Sequence, residues 1–288
     1  RRQRQMCIRD RLNTELKSAV MATDRDAQYD NSAKRLIAHK IILARILVKT
    51  VEEFKGMDPL EVAALIEGLP YISAVPVEPG LTNAVHFQNG QRLVGFNTEN
   101  QELNEGLVRF DIVFYVRMKD GLSQIIINVE AQKDEPGEYE ILNRAVFYVS
   151  RLISSQKERD FENSSYDDIK CVYSIWICMN MEENTMGHIH LTKEDLIGSY
   201  EWKGNLDLLN IIMIGLAKEL PEHDETYELH RLLGALLSRE LTVDEKLDII
   251  GKEYDIPLEE NFRKDMSTMC NFCLLYTSPS PRDPKTSR

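Results

Sequence analysis

The chain has 288 residues, 43% apolar and 28% charged, with 47 acidic against 35 basic side chains and a formal net charge of −12. That ordinary apolar content allows one large domain or two smaller ones. No stretch approaches the apolar length of a membrane span.

Residues 1–11 (Arg1-Arg-Gln-Arg-Gln-Met-Cys-Ile-Arg-Asp-Arg11) and 273–288, with its Pro279-Ser-Pro281, lack amphipathic periodicity. Both resemble translated sequencing-adapter text and are expected to stand outside the fold. The alternative is a basic arm and a disordered tail. Residues 12–28 read as an N-terminal remnant. The two ends hold eight basic and two acidic residues, so the rest of the chain carries −18 rather than −12. Such an acidic core disfavours broad contact with a polyanion and argues for a narrow, metal-dependent contact, or against nucleic acid altogether. Cys171, Cys178 and Cys270 remain after the ends are set aside. An odd, sparse count points to reduced thiols in a cytoplasmic protein. Cys270-x-x-Cys273 has half a zinc-knuckle spacing, but Cys273 falls in the excluded end.

The first element is a helix over residues 29–54, with Leu36, Ile37, Ile41, Leu43, Ala44, Leu47 and Val48 as its apolar stripe. A short helix over 60–69 follows, stopped by Gly68 and Pro70. Residues 70–100 are rich in Pro and Gly, with short strands near 85–87 and 92–96. Then comes a hairpin: Arg109-Phe-Asp111-Ile-Val-Phe-Tyr-Val-Arg117 and Gln124-Ile-Ile-Ile-Asn-Val-Glu130-Ala-Gln132, joined through Lys119-Asp-Gly121. A two-residue turn at Asp120-Gly121 sets Lys119 against Leu122 and Asp111 directly opposite Glu130. Facing residues share a face with Cβ atoms about 4.5–5.5 Å apart, and like charges so placed are destabilising. A divalent cation held by hard oxygen ligands offsets that cost. Gln132, two residues past Glu130, belongs to the same face.

A helix over 139–156 follows, with Leu142, Ala145, Val146, Val149 and Ile153 on its apolar side and Arg144, Tyr148, Arg151 and Ser155 on the other. That polar stripe either meets a phosphate backbone, flanks the metal site, or is a solvated or partner-facing surface. Residues 169–179 are apolar on both faces, as a central strand is. His188-Ile-His190 has a chelating spacing, with no third ligand in evidence. Helices are expected over 206–220 and 225–241, and Thr242-Val-Asp-Glu245 is a capping box opening a helix to Tyr254. The order gives an α/β fold: a mixed central sheet flanked by helices over 29–200, with an all-helical C-terminal extension over 201–272.

A carboxylate on one strand, Glu-x-amide on the next, then a helix and a further strand resembles the PD-(D/E)XK nuclease superfamily. Within it the chain is similar to the recombination-promoting nuclease (Rpn) branch, also described as PD-(D/E)XK nuclease family transposases. The likeness spans roughly residues 28–200 and is carried by 104–111, Ile127-Asn-Val-Glu-Ala-Gln132, 143–156 and 172–179. It implies a restriction-endonuclease-like core and a DNA endonuclease of mobile elements and DNA recombination, dependent on Mg2+ or Mn2+, with DNA as partner, no membrane, and homo-oligomerisation left open. It also implies Asp111 and Glu130 as metal ligands, with the Ala131 carbonyl as a further one. The position of Gln132 is lysine in the wider superfamily. A glutamine amide can orient a water but cannot stabilise hydroxide as a cation does, so the metal must generate the nucleophile. The proline of the motif is replaced by Phe110.

Asp30, at the start of the first helix, and Glu105, before the first hairpin strand, are second-tier site residues with Tyr148 and Arg151. The plainer roles are a helix cap for Asp30, a loop position for Glu105, and solvent-facing strand ends for Asp111, Glu130 and Gln132. A non-enzymatic domain, decayed from a mobile element and binding another protein, is the alternative function; an RNA- or nucleotide-directed hydrolase is a third.

Overall fold

The computed structural model describes residues 29, 31–74, 84–88, 91–95, 109–118, 121–130, 140–157, 161 and 163–277, with the backbone alone over 71–74, 84–88, 91–95, 109–111, 121–130 and 271–277. Two compact units emerge, one running Ile37–Gly234, the other joining residues up to Leu36 with those from Ala235 on.

The long first helix is broken. Residues 31–37 are helical, the chain turns at Ala38 and His39, and α1 (Lys40–Thr50) starts anew. His39 is extended, and its carbonyl accepts from both Ile42 N and Leu43 N, which is how a fresh helix start satisfies its first donors. The apolar stripe of α1 (Ile42, Leu43, Ala44, Ile46, Leu47) is fully buried. α2 (Pro59–Leu65) is capped by Asp58, whose carboxylate accepts from Leu60 N at 2.7 Å, with proline at the first helical position. It is shorter than expected. Gly68 and Pro70 do not end a helix but lie inside β1 (Ile66–Ala74). β1 is an edge strand, where proline costs no ladder bond, and its register slips between Glu67 and Tyr71 around Gly68 at φ +61°.

β2 (Ala84–Gln88) and β3 (Gln91–Gly95) form a separate antiparallel hairpin, matching the expected short strands. The main sheet adds β4 (Arg109–Met118), β5 (Gly121–Glu130), β6 (Val172–Met181), β7 (Thr185–His190) and β8 (Leu209–Ala217) to β1, in the order β1-β4-β5-β6-β8-β7. β5, β6 and β8 run parallel, while β4, β1 and β7 pair antiparallel. The sheet is thus mixed, as expected. Residues 112–116 on β4 and 172–178 on β6 are buried without alternation, so both strands are covered on both faces.

β8 corrects the sequence reading: residues 209–217 are a strand and not part of a helix, and the sheet extends past residue 200. An apolar run such as Ile211-Ile-Met-Ile214 fits a covered strand and a buried helix equally well, and here pairing with β6 decides. α3 (Ile141–Ser154) links β5 to β6 and packs over β6 and β8 through Ala145, Val149 and Leu152 onto Val172, Trp176 and Ile211. Leu142 and Val146, expected on its apolar side, are exposed instead. The helix is rotated so that Tyr148 and Leu152 turn inward.

Helices α4 (Glu228–Leu237), α5 (Val243–Glu253) and α6 (Glu260–Thr277) follow. Lys49 and Arg45 of α1 meet Glu228 at 2.6 and 3.7 Å. Lys246 is fully buried, and its ammonium donates to the carbonyls of Leu236 and Ser238 at 3.1 and 2.5 Å, capping the end of α4. α6 continues to Thr277, past the expected break at residue 273. Among the described residues, no helix is long and apolar enough to cross a membrane.

Candidate active site

Asp111 is the third residue of β4 and Glu130 the last of β5. Because the two strands are antiparallel neighbours, both positions fall at the same end of the sheet, where parallel β6 and β8 also finish. Pairing differs from expectation by two residues. Met118 faces Gly121, and the ladder runs outward to Ile112↔Ile127. The ladder ends there; extended by one step, it would set Asp111 against Asn128 and diagonal to Glu130 rather than directly opposite it. Diagonal neighbours lie about 7–8 Å apart on one face, a gap that two carboxylates can close on one ion.

Two further features mark this corner. Between Val113 and Phe110, Asp111 and Ile112 stand against Ile72 alone on β1, so β4 carries an extra residue there. Such bulges bend a strand and re-aim the residue they contain. Across the sheet, Asn128 is in register with Trp176, and Glu130 with Cys178 and then Gly215. Trp176 and Cys178 belong to the cluster beneath α3. Asn128 went unnoticed in the sequence, although a lone amide within Ile125-Ile-Ile-Asn-Val129 was the available signal.

Gln132, Asp30 and Glu105 lie outside the described residues. Tyr148 and Arg151 are half-buried on α3, and the structure resolves the polar stripe of which they are part into two halves. In the first, Arg144 Nε donates to the Tyr148 hydroxyl at 3.0 Å, and its guanidinium lies over the rings of Tyr148 and Trp176, 5.0 and 5.7 Å from their centroids. The two rings are 5.8 Å apart. Trp176 is itself fixed by its indole N–H donating to Ser174 Oγ at 2.9 Å. Arg144 is thus a positioned cation on the helix that follows Glu130.

The second half is structural. Ser155 is buried with its hydroxyl donating to Leu152 O, and buried Gln156 makes a two-way pair with the Lys170 backbone at 2.8 and 2.9 Å. Among the described residues, no group of three or more His, Cys, Asp or Glu side chains gathers to hold a metal. Compared with family models, with curated proteins and with solved structures, the chain matches none.

Proposed function

We propose that this chain is a Mg2+-dependent DNA endonuclease with a PD-(D/E)XK core of the Rpn type, hydrolysing phosphodiester bonds in the cytoplasm. The observation that carries the proposal is that Asp111 on β4 and Glu130 on β5 stand on adjacent antiparallel strands near one end of a mixed sheet. The order of elements around them agrees with the resemblance: a helix, the hairpin, then α3 and the parallel strand β6. Asp111 and Glu130 would hold the ion, which when bound supplies Lewis acidity and a water of lowered pKa. Gln132 would orient the attacking water through its amide, with no cation of its own to offer. Arg144, held by Tyr148 and Trp176, would meet a phosphate oxygen of the substrate.

Supercoiled plasmid incubated with the full chain tests this. Nicking is expected with Mg2+ and none in EDTA, and Asp111→Ala and Glu130→Ala should each lose activity by more than about a hundredfold. Cleavage that survives in Asp111→Ala would overturn the proposal.

A second reading, a protein-interaction module, is favoured by the segment between β7 and β8. Residues 191–208 form no helix or strand and expose Leu196 (85%), Ile197 (98%), Tyr200 and Trp202. Long connections and clustered exposed apolar side chains are features of binding surfaces. A folded wild type that cleaves no DNA would favour it.

A further inference from the structure

The outer edge of the sheet carries a donor set that the proposed hydrolysis does not use. β7 pairs with β8 in unbroken register from Thr185↔Gly215 to His190↔Asn210, so its side chains alternate between the two faces. Ile189 packs against the cluster beneath α3, which leaves Met186, His188 and His190 together on the opposite face. The two imidazoles meet edge to face there, with centroids 4.7 Å apart. Met186, at the same two-residue spacing on the other side of His188, is 46% exposed, and its flexible thioether chain has the reach to join them. The strand is anchored at its start by buried His230, whose Nε2 donates to Thr185 O at 2.9 Å.

The tautomer of His188 is set by its neighbour. Asn210 is fully buried, and its Nδ2 donates to Asp207 O at 3.3 Å, which leaves Oδ1 as the atom meeting His188 Nε2 at 2.8 Å. An amide oxygen only accepts, so Nε2 carries the ring hydrogen and Nδ1 keeps its lone pair. A ring nitrogen that donates to a buried oxygen, fixing the tautomer so that the other can ligate, is the usual support behind a metal-bound histidine.

We propose that Met186, His188 and His190 form a surface site for copper(I). Imidazole accepts zinc, nickel and copper alike, whereas a thioether favours the soft end of that series; copper(I) is the ion both donor types share. The strand Thr185-Met-Gly-His-Ile-His190 has no carboxylate, so the donor set is neutral, which suits a monovalent ion.

The test supplies copper(I) without oxygen, against bicinchoninate as competitor, to the full chain and its variants, with Zn2+ as a second probe. Wild type should retain one more copper per chain than a His188→Ala/His190→Ala protein of unchanged circular dichroism. Copper held by cysteines is common to both and cancels. Met186→Leu should weaken copper(I) binding by about tenfold or more and leave Zn2+ binding unchanged. Equal copper retention in wild type and the double variant would overturn the site. Copper affinity unaltered by Met186→Leu would overturn its assignment to copper(I).

Discussion

Arg144 shows how a single residue on α3 can be prepared for an anion. Its Nε is committed to the Tyr148 hydroxyl and its guanidinium lies over two aromatic rings, a cation–π arrangement worth about 0.5–2 kcal/mol. Ordering a guanidinium before the substrate arrives lowers the cost of a bidentate phosphate contact. Arg144→Ala should therefore reduce kcat/KM for DNA cleavage by about a hundredfold, and Tyr148→Phe by less, with stability changed by only about 1 kcal/mol in each. Trp176→Ala is of a different kind: it empties a fully buried site and should cost about 3–5 kcal/mol of stability. Steady-state kinetics and denaturant melts on the three proteins separate the roles; an Arg144→Ala protein that cuts like wild type would exclude the phosphate contact. Tyr148 and Arg151 were visible from helical spacing. The part of Trp176 was not, since a central strand accounts for its apolarity without saying which helix lies over it.

Among the elements, legibility followed the strength of local chemistry. The capping box is present in full: Thr242 Oγ1 accepts from Glu245 N at 3.3 Å, and the Glu245 carboxylate accepts from Thr242 N at 2.8 Å. The bonds that the Glu245 carboxylate accepts, from Thr242 N and from the Thr242 hydroxyl at 2.8 Å, hold it below its ordinary range. A depressed folded value means the contribution is present above the unfolded pKa and is lost as pH falls through the folded one. Thr242→Ala should cost about 1 kcal/mol at neutral pH, and that difference should shrink in melts at progressively more acidic pH; a constant difference would exclude the linkage. β4 and β5 were legible from their β-branched and aromatic content and the turn, but not their register. Lys119-Asp120 and Asp120-Gly121 are both acceptable two-residue turns, and choosing between them moves the pairing by two. The faces survive that error because two residues is one full strand period. Gly68 and Pro70 misled for a related reason: both punctuate helices, yet an edge strand with a bulge accommodates both. β8 was lost because nothing in its own residues separates a strand covered on both faces from a buried helix.

For the molecule as a whole, charge constrains how the proposed nuclease would engage DNA. With −18 outside the two chain ends, only a few cations such as Arg144 can meet phosphates, so affinity should be low. Counterion release then predicts a shallow dependence, a log–log slope against salt of about −2 to −3; a slope near −8 would mean a broad basic surface and contradict the narrow contact. The candidate site draws on residues at one end of the sheet within the Ile37–Gly234 unit, and its central requirement is that Asp111 and Glu130 share one ion. Titration of Mn2+ into the full chain, with free ion followed by electron paramagnetic resonance, measures that directly. The account predicts one ion per chain that is lost in Asp111→Asn, lost equally in Glu130→Gln, and no further weakened in the double variant, because ligands of a shared site are not additive. Mn2+ binding that persists unchanged in both single variants would contradict it.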